Sequence, residues 1–167
     1  MSRGMMSAFL MTGLALTMGC GQNATTTSTA SGEDSRYVLS SEPAGAESVM
    51  AARENVQDGE PVAVLGRIGG EANPWVDGLA AFTIVDPSLQ PCTDGCETPW
   101  DYCCDTDALP KATATVKLVD ATGQVLGKDA RELLKVKELT TVVVKGRAKR
   151  DSAGNLTVLA DGVYVKQ

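Results

Sequence analysis

Residues 140–165 read Thr-Thr-Val-Val-Val-Lys-Gly-Arg-Ala-Lys-Arg-Asp-Ser-Ala-Gly-Asn-Leu-Thr-Val-Leu-Ala-Asp-Gly-Val-Tyr-Val. β-Branched residues crowd the stretch Thr140 to Ala148, and Asp151-Ser152-Ala153-Gly154-Asn155 forms a polar turn. Leu156 to Val165 then resumes the extended pattern. Two such runs around a Gly/Asn turn predict an antiparallel hairpin. Three more strands precede it. Val62, Val64 and Ile68 alternate with Ala63, Leu65 and Arg67, and this first strand ends in Gly69-Gly70. Gly66 inside it predicts a bulge or sharp coil. The second strand is Ala81 to Asp86 and the third Ala112 to Asp120. A short helix is expected from about Asp129 to Val136, through Ala130, Leu133 and Leu134. A second is expected over 43–57, where Val49, Ala52 and Val56 share one face and Gly59 follows as a stop.

Five strands with a helix between the third and fourth is the element order of an OB-fold. The segments 64–70 (Val-Leu-Gly-Arg-Ile-Gly-Gly), 80–86 (Ala-Ala-Phe-Thr-Ile-Val-Asp) and 142–148 (Val-Val-Val-Lys-Gly-Arg-Ala) resemble strands of the anticodon-binding-like OB domains. Similar modules occur in exported bacterial lipoproteins. The resemblance spans residues 60–166 and implies a mainly β fold: a small five-stranded Greek-key barrel with one or two short helices. Another small β-barrel or sandwich is the alternative.

Residues 1–19 are expected to be a signal peptide. Arg3 precedes an uncharged, mostly apolar run from Met5 to Met18, too short to cross a bilayer about 30 Å thick. Thr17-Met18-Gly19-Cys20 resembles the lipobox of bacterial lipoproteins, which implies cleavage before Cys20 and acylation of that residue. Plain secretion is the competing reading. Gly21 in place of Asp implies, by the same resemblance, the outer membrane, facing the periplasm. Residues 20–35 combine the lipidated Cys with a polar linker that has no large apolar residue, so a disordered tether is expected. The folded domain is then 36–167.

Composition excludes several functions. With no His in 167 residues, Ser-His-Asp and Cys-His nucleophile systems and His-ligated zinc are ruled out. No nucleophile, base and oxyanion set can be assembled from named residues, so the expectation is a binding or interaction module without catalysis. Nucleic acid is not an expected partner. The chain has a net charge of -6 and 4% aromatic residues, and Phe82 is the lone ring on the second and third strands. Lys145, Arg147 and Lys149 should share one strand face. That row is either a solvated face or a surface for a protein or anionic-glycan partner.

The distinctive segment is the acidic loop 86–110. It holds six carboxylates and no base, and within it Cys92, Cys96, Cys103 and Cys104 fall in the spacing C-x3-C-x6-C-C. Three chemistries compete. The first expectation is two disulfides clamping the loop, with Cys92 and Cys96 each paired to one member of the strained adjacent pair and the choice left open. In that case no cofactor is needed. The second is a four-thiolate site for zinc or Cu(I). The third is a redox dithiol, disfavoured by the absence of a neighbouring base to lower a thiol pKa. Trp100 and Tyr102 in this loop pack onto the barrel or, exposed together with Trp75, form an aromatic binding spot.

Overall fold

The structure, a computed structural model, describes residues 34–93 and 95–167. The signal peptide, the lipidation candidate Cys20 and nearly all of the linker lie outside the described residues, as does Asp94. Among these residues the first element is a single 3-10 turn, Ser35–Tyr37. Tyr37 is buried there, and its hydroxyl donates to the Val119 carbonyl at 3.1 Å.

Six strands follow: β1 (Glu47–Ser48), β2 (Pro61–Ile68), β3 (Ala81–Val85), β4 (Thr113–Leu118), β5 (Thr141–Arg150) and β6 (Leu156–Val165). Three helices accompany them: α1 (Val49–Asn55), α2 (Leu109–Ala112) and α3 (Ala130–Leu134). Strand β2 pairs with both β3 and β5, β3 with β4, β4 in parallel with β6, and β6 with β5. The pairings therefore close a five-stranded barrel, and the parallel β4–β6 contact is the step a meander would lack. This is the OB order, with α3 between β4 and β5 as the sequence predicts.

Alternation does the packing. Along β4, Ala114, Val116 and Leu118 point inward, and Thr113, Thr115 and Lys117 are half-buried between them. Phe82, Ile84, Val142, Val144, Val158 and Val163 fill the same interior, with Leu133 and Leu134 of α3 and Val49 and Ala52 of α1 packed against them. Strand β3 is covered on its outer side too. Val85 joins Leu89, Tyr102 and Ala112 in a second apolar cluster beneath the cysteine loop.

Two sequence expectations need correction. The helix predicted over 43–57 is confined to α1, because Gly45 turns at φ +71° and Glu47–Ser48 pair in parallel with Val64–Leu65. Gly66 is not a bulge, since the register runs unbroken through Gly66 opposite Val142. Its missing side chain answers a close approach instead, as a Cβ there would lie 2.9 Å from Ile84. The bulge sits in the hairpin. Lys145 faces Gly162 and Gly146 faces Ala160, so Asp161 is the extra residue, and a Cβ on Gly146 would run into the Leu159 carbonyl oxygen.

Helix α1 is held at both ends by other elements. At its start, Ser48 Oγ accepts from Ala51 N, and the buried Asp86 carboxylate accepts from Met50 N at 2.8 Å and Ser88 N at 3.0 Å. At its end, the Arg150 guanidinium donates to the Ala52, Arg53 and Val56 carbonyls. Burial works against ionising Asp86, yet the N–H groups of Met50 and Ser88 outweigh it and hold the carboxyl below its ordinary range. Asp86→Ala is therefore expected to cost about 2–3 kcal/mol in urea unfolding, since it removes a buried carboxylate's charge-assisted bonds to two backbone N–H groups. Because the folded pKa is depressed, the contribution is complete above the unfolded value and is lost as pH falls through the folded one. The gap between wild type and Asp86→Asn should thus be constant above about pH 5 and shrink in more acidic solution.

Candidate metal centre

The loop between β3 and β4 is held down onto the barrel by four hydrogen bonds. Gly70 N donates to the Trp100 carbonyl at 2.7 Å, and Trp100 Nε1 donates to the Ala72 carbonyl at 3.1 Å. Arg67 reaches from β2 to donate to both the Leu89 carbonyl, at 3.2 Å, and the Tyr102 hydroxyl, at 3.3 Å. The Gly69-Gly70 pair makes room for this seating. A Cβ on Gly69 would stand 2.5 Å from the Trp100 carbonyl oxygen, and Gly70 holds φ +98°.

Within the loop, Pro99–Asp101 forms one 3-10 turn, and Tyr102 follows in the left-handed region at φ 56°. Asp101 fixes the turn, accepting from Thr98 Oγ1 at 2.7 Å and from Cys103 N at 2.9 Å. The reversal buries Tyr102 completely and leaves Cys103 and Cys104 exposed immediately after it. Across the loop, Cys92 N donates to the Pro99 carbonyl at 3.1 Å, which brings the first cysteine under the last two.

All four sulfurs gather at one point. Cys92 Sγ lies 3.1 Å from Cys104 Sγ and 3.4 Å from Cys103 Sγ, Cys96 Sγ lies 3.6 Å from Cys103 Sγ, and the whole set falls within 4.8 Å. Cys92 is buried and Cys96 half-buried. The expected disulfides are not present. Among the described residues no pair of sulfurs stands at the bonding distance of about 2.05 Å.

The crowding sets the thiol acidities. The Cys104 thiol donates toward Cys92, aided by the Cys104 backbone N–H, and so lowers the Cys92 pKa. Cys103 is raised by its contacts with Cys92 and Cys96, and Cys104 chiefly by Cys92. Thiolates held this close repel one another. A cation at the centre reverses that repulsion.

The remaining predicted site residues do not join this centre. Trp75 is buried in the main core, where its ring lies 5.7 Å from that of Phe82 and its Nε1 donates to Glu138 at 2.6 Å. Trp100 is half-buried and Tyr102 fully buried, so the three rings form no shared exposed spot. Lys145, Arg147 and Lys149 do share an exposed face of β5. Each already has a partner: Lys145 with Asp161 at 3.2 Å, Lys149 with Asp58 at 3.3 Å, and Arg147 with the Gly59 carbonyl at 3.1 Å. A groove of about 450 Å³ between Pro43–Gly45 and Lys145–Arg147 lies apart from the cysteines. The anchoring role of Arg67 and the double-glycine step were missed by sequence reasoning. Gly69-Gly70 at a strand end was the available signal.

Comparison with known proteins adds the following. No family model and no curated protein matches the chain. Among solved structures, telomere capping protein Ten1 from Saccharomyces pombe is 16% identical, with 75% of this chain and 81% of that chain covered at a TM-score of 0.36. The S. pombe Stn1–Ten1 complex gives 15% identity, coverage of 77% and 80%, and a TM-score of 0.35. An OBody, AM1L10, bound to hen egg-white lysozyme gives 11%, 69% and 90%, and 0.36. The assignment of the OB barrel rests on the strand order itself.

Proposed function

We propose that this chain is an OB-barrel binding module whose acidic loop holds a thiophilic divalent metal ion, zinc above all, through Cys92, Cys96, Cys103 and Cys104. One observation carries the reading: four Sγ atoms within 4.8 Å of one another. A tetrahedral Zn–S distance of about 2.3 Å requires sulfurs about 3.8 Å apart. The contacts of 3.1, 3.4 and 3.6 Å need to open only slightly to accept the ion. Zinc is favoured over Cu(I) by charge. The four cysteines share their loop with Glu97, Asp101, Asp105 and Asp107, and a divalent ion offsets more of that negative charge.

The proposal extends to the address. Export and attachment of the barrel to the outer membrane, facing the periplasm, through acylated Cys20 are supported by the apolar run Met5 to Met18 and the lipobox-like Thr17-Met18-Gly19-Cys20. Cys20→Ala is expected to abolish palmitate labelling and move the protein out of the membrane fraction. Unchanged labelling would overturn the anchor.

The metal reading is tested on reduced, zinc-treated protein by native and denaturing intact-mass measurement with thiol alkylation. The expected result is one zinc adduct in the native spectrum and four alkylatable loop thiols after denaturation. A metal-free protein lighter by about 4 Da, reproduced after full reduction and reoxidation, would instead establish two disulfides as the resting state.

A further inference from the structure

The same four sulfurs are arranged for a second chemical state, and its pairing is legible in the distances. We propose that the cluster is a redox-modification site. In this state a peroxide converts it to Cys92–Cys104 and Cys96–Cys103 disulfides and expels the metal. The inference rests on the metal reading above.

Geometry selects the pairing. Four cysteines allow three connectivities. One joins adjacent Cys103 and Cys104, which is strained by the short link between them. A second joins Cys92 to Cys103, at 3.4 Å, and leaves Cys96 with Cys104, whose sulfurs lie within 4.8 Å of each other. The third has both couples in contact, Cys92 with Cys104 at 3.1 Å and Cys96 with Cys103 at 3.6 Å. Both close to a bond of about 2.05 Å by movements of about 1–1.5 Å. Each couple also joins a more enclosed sulfur to an exposed one, because Cys103 and Cys104 face solvent while Cys92 is buried and Cys96 half-buried. Peroxide reaches the exposed member, and the enclosed partner is already in contact to resolve it.

The chemistry balances. A sulfur of Cys103 or Cys104 attacks one peroxide oxygen, the O–O bond breaks, and a sulfenic acid and hydroxide result. The partner sulfur attacks the sulfenic sulfur, the S–S bond forms, and a second hydroxide leaves. Two peroxides thus oxidise four thiolates to two disulfides, and the hydroxides become water with protons from solvent. Disulfide sulfurs are no longer thiolates, so the divalent ion loses its ligands and departs. Reduction by a dithiol restores the site.

The test uses the reduced, zinc-loaded full chain titrated with hydrogen peroxide. A chromogenic chelator follows zinc, and peptide mapping reads the bonds. Expected is complete zinc release at two peroxides per zinc, with Cys92–Cys104 and Cys96–Cys103 in the map. Cys103→Ser should form the Cys92–Cys104 bond alone and consume half the peroxide. Pairing of Cys92 with Cys103, sulfinic acids without disulfides, or zinc retained after disulfide formation would each overturn the inference while leaving the metal reading intact. A reduced chain that takes up no zinc overturns both.

Discussion

Cys92→Ser is expected to weaken zinc binding by more than about 100-fold, beyond what loss of an outer-shell partner costs at a metal site. Cys92 is the hub of the cluster, in contact with both Cys103 and Cys104, and it is the buried member of the set. Serine offers an oxygen that is harder, set on a shorter bond, and protonated at neutral pH, so it neither reaches the centre nor supplies an anion. Three remaining sulfurs then hold the ion with an open corner on the buried side, where water cannot easily complete the shell. Competition against a chelator of known affinity measures the effect. Circular dichroism of the metal-free proteins should coincide, because Cys92 lies outside both apolar clusters. Affinity in the wild type should also fall steeply as pH drops, since each thiol must release a proton to bind. Equal affinity of wild type and Cys92→Ser would remove the cysteines from the site.

The barrel was legible because β-strands announce themselves locally. The period-two alternation in β2, β4 and β6, and the turn at 151–155, are properties of neighbouring residues. Features that depend on distant neighbours were not legible. Gly66 and Gly146 look alike as glycines inside strands, and only Ile84 against one and Leu159 against the other decide which marks the bulge. The predicted helix over 43–57 lost its first turn to a parallel pairing with residues 64–65, a contact no helical periodicity reports. The cysteine loop shows the same division. Its spacing singled out the four cysteines, but their convergence depends on the reversal at Tyr102 and on the Arg67 anchor, both set by the barrel beneath. Rings in loops were ambiguous for a related reason. A tryptophan such as Trp75 reads alike in sequence whether it caps a surface or, as here, plugs the space between Phe82 and α3.

Tyr102→Ala should lower stability by about 3–5 kcal/mol, the range for truncating a large buried aromatic, and should disable the metal centre together with the fold. Among the described residues Tyr102 is the largest fully buried side chain, at 0% exposure, and it forms a cluster with Val85, Leu89 and Ala112. Its left-handed backbone costs about 1–2 kcal/mol for a residue other than glycine. Burial of the ring outweighs that cost, and alanine keeps the strain while losing the burial. Tyr102→Phe separates the contributions. It retains the ring and removes only the bond from Arg67, so about 1 kcal/mol is expected. Zinc reports on the loop specifically. A ligand at about 100 times its dissociation constant adds about 2.7 kcal/mol to the folded state. Urea unfolding with and without zinc should show that increment in wild type and Tyr102→Phe, and little of it in Tyr102→Ala, where the adjacent Cys103 and Cys104 lose their seat. A full zinc increment in Tyr102→Ala would mean that the four cysteines assemble without the barrel's help.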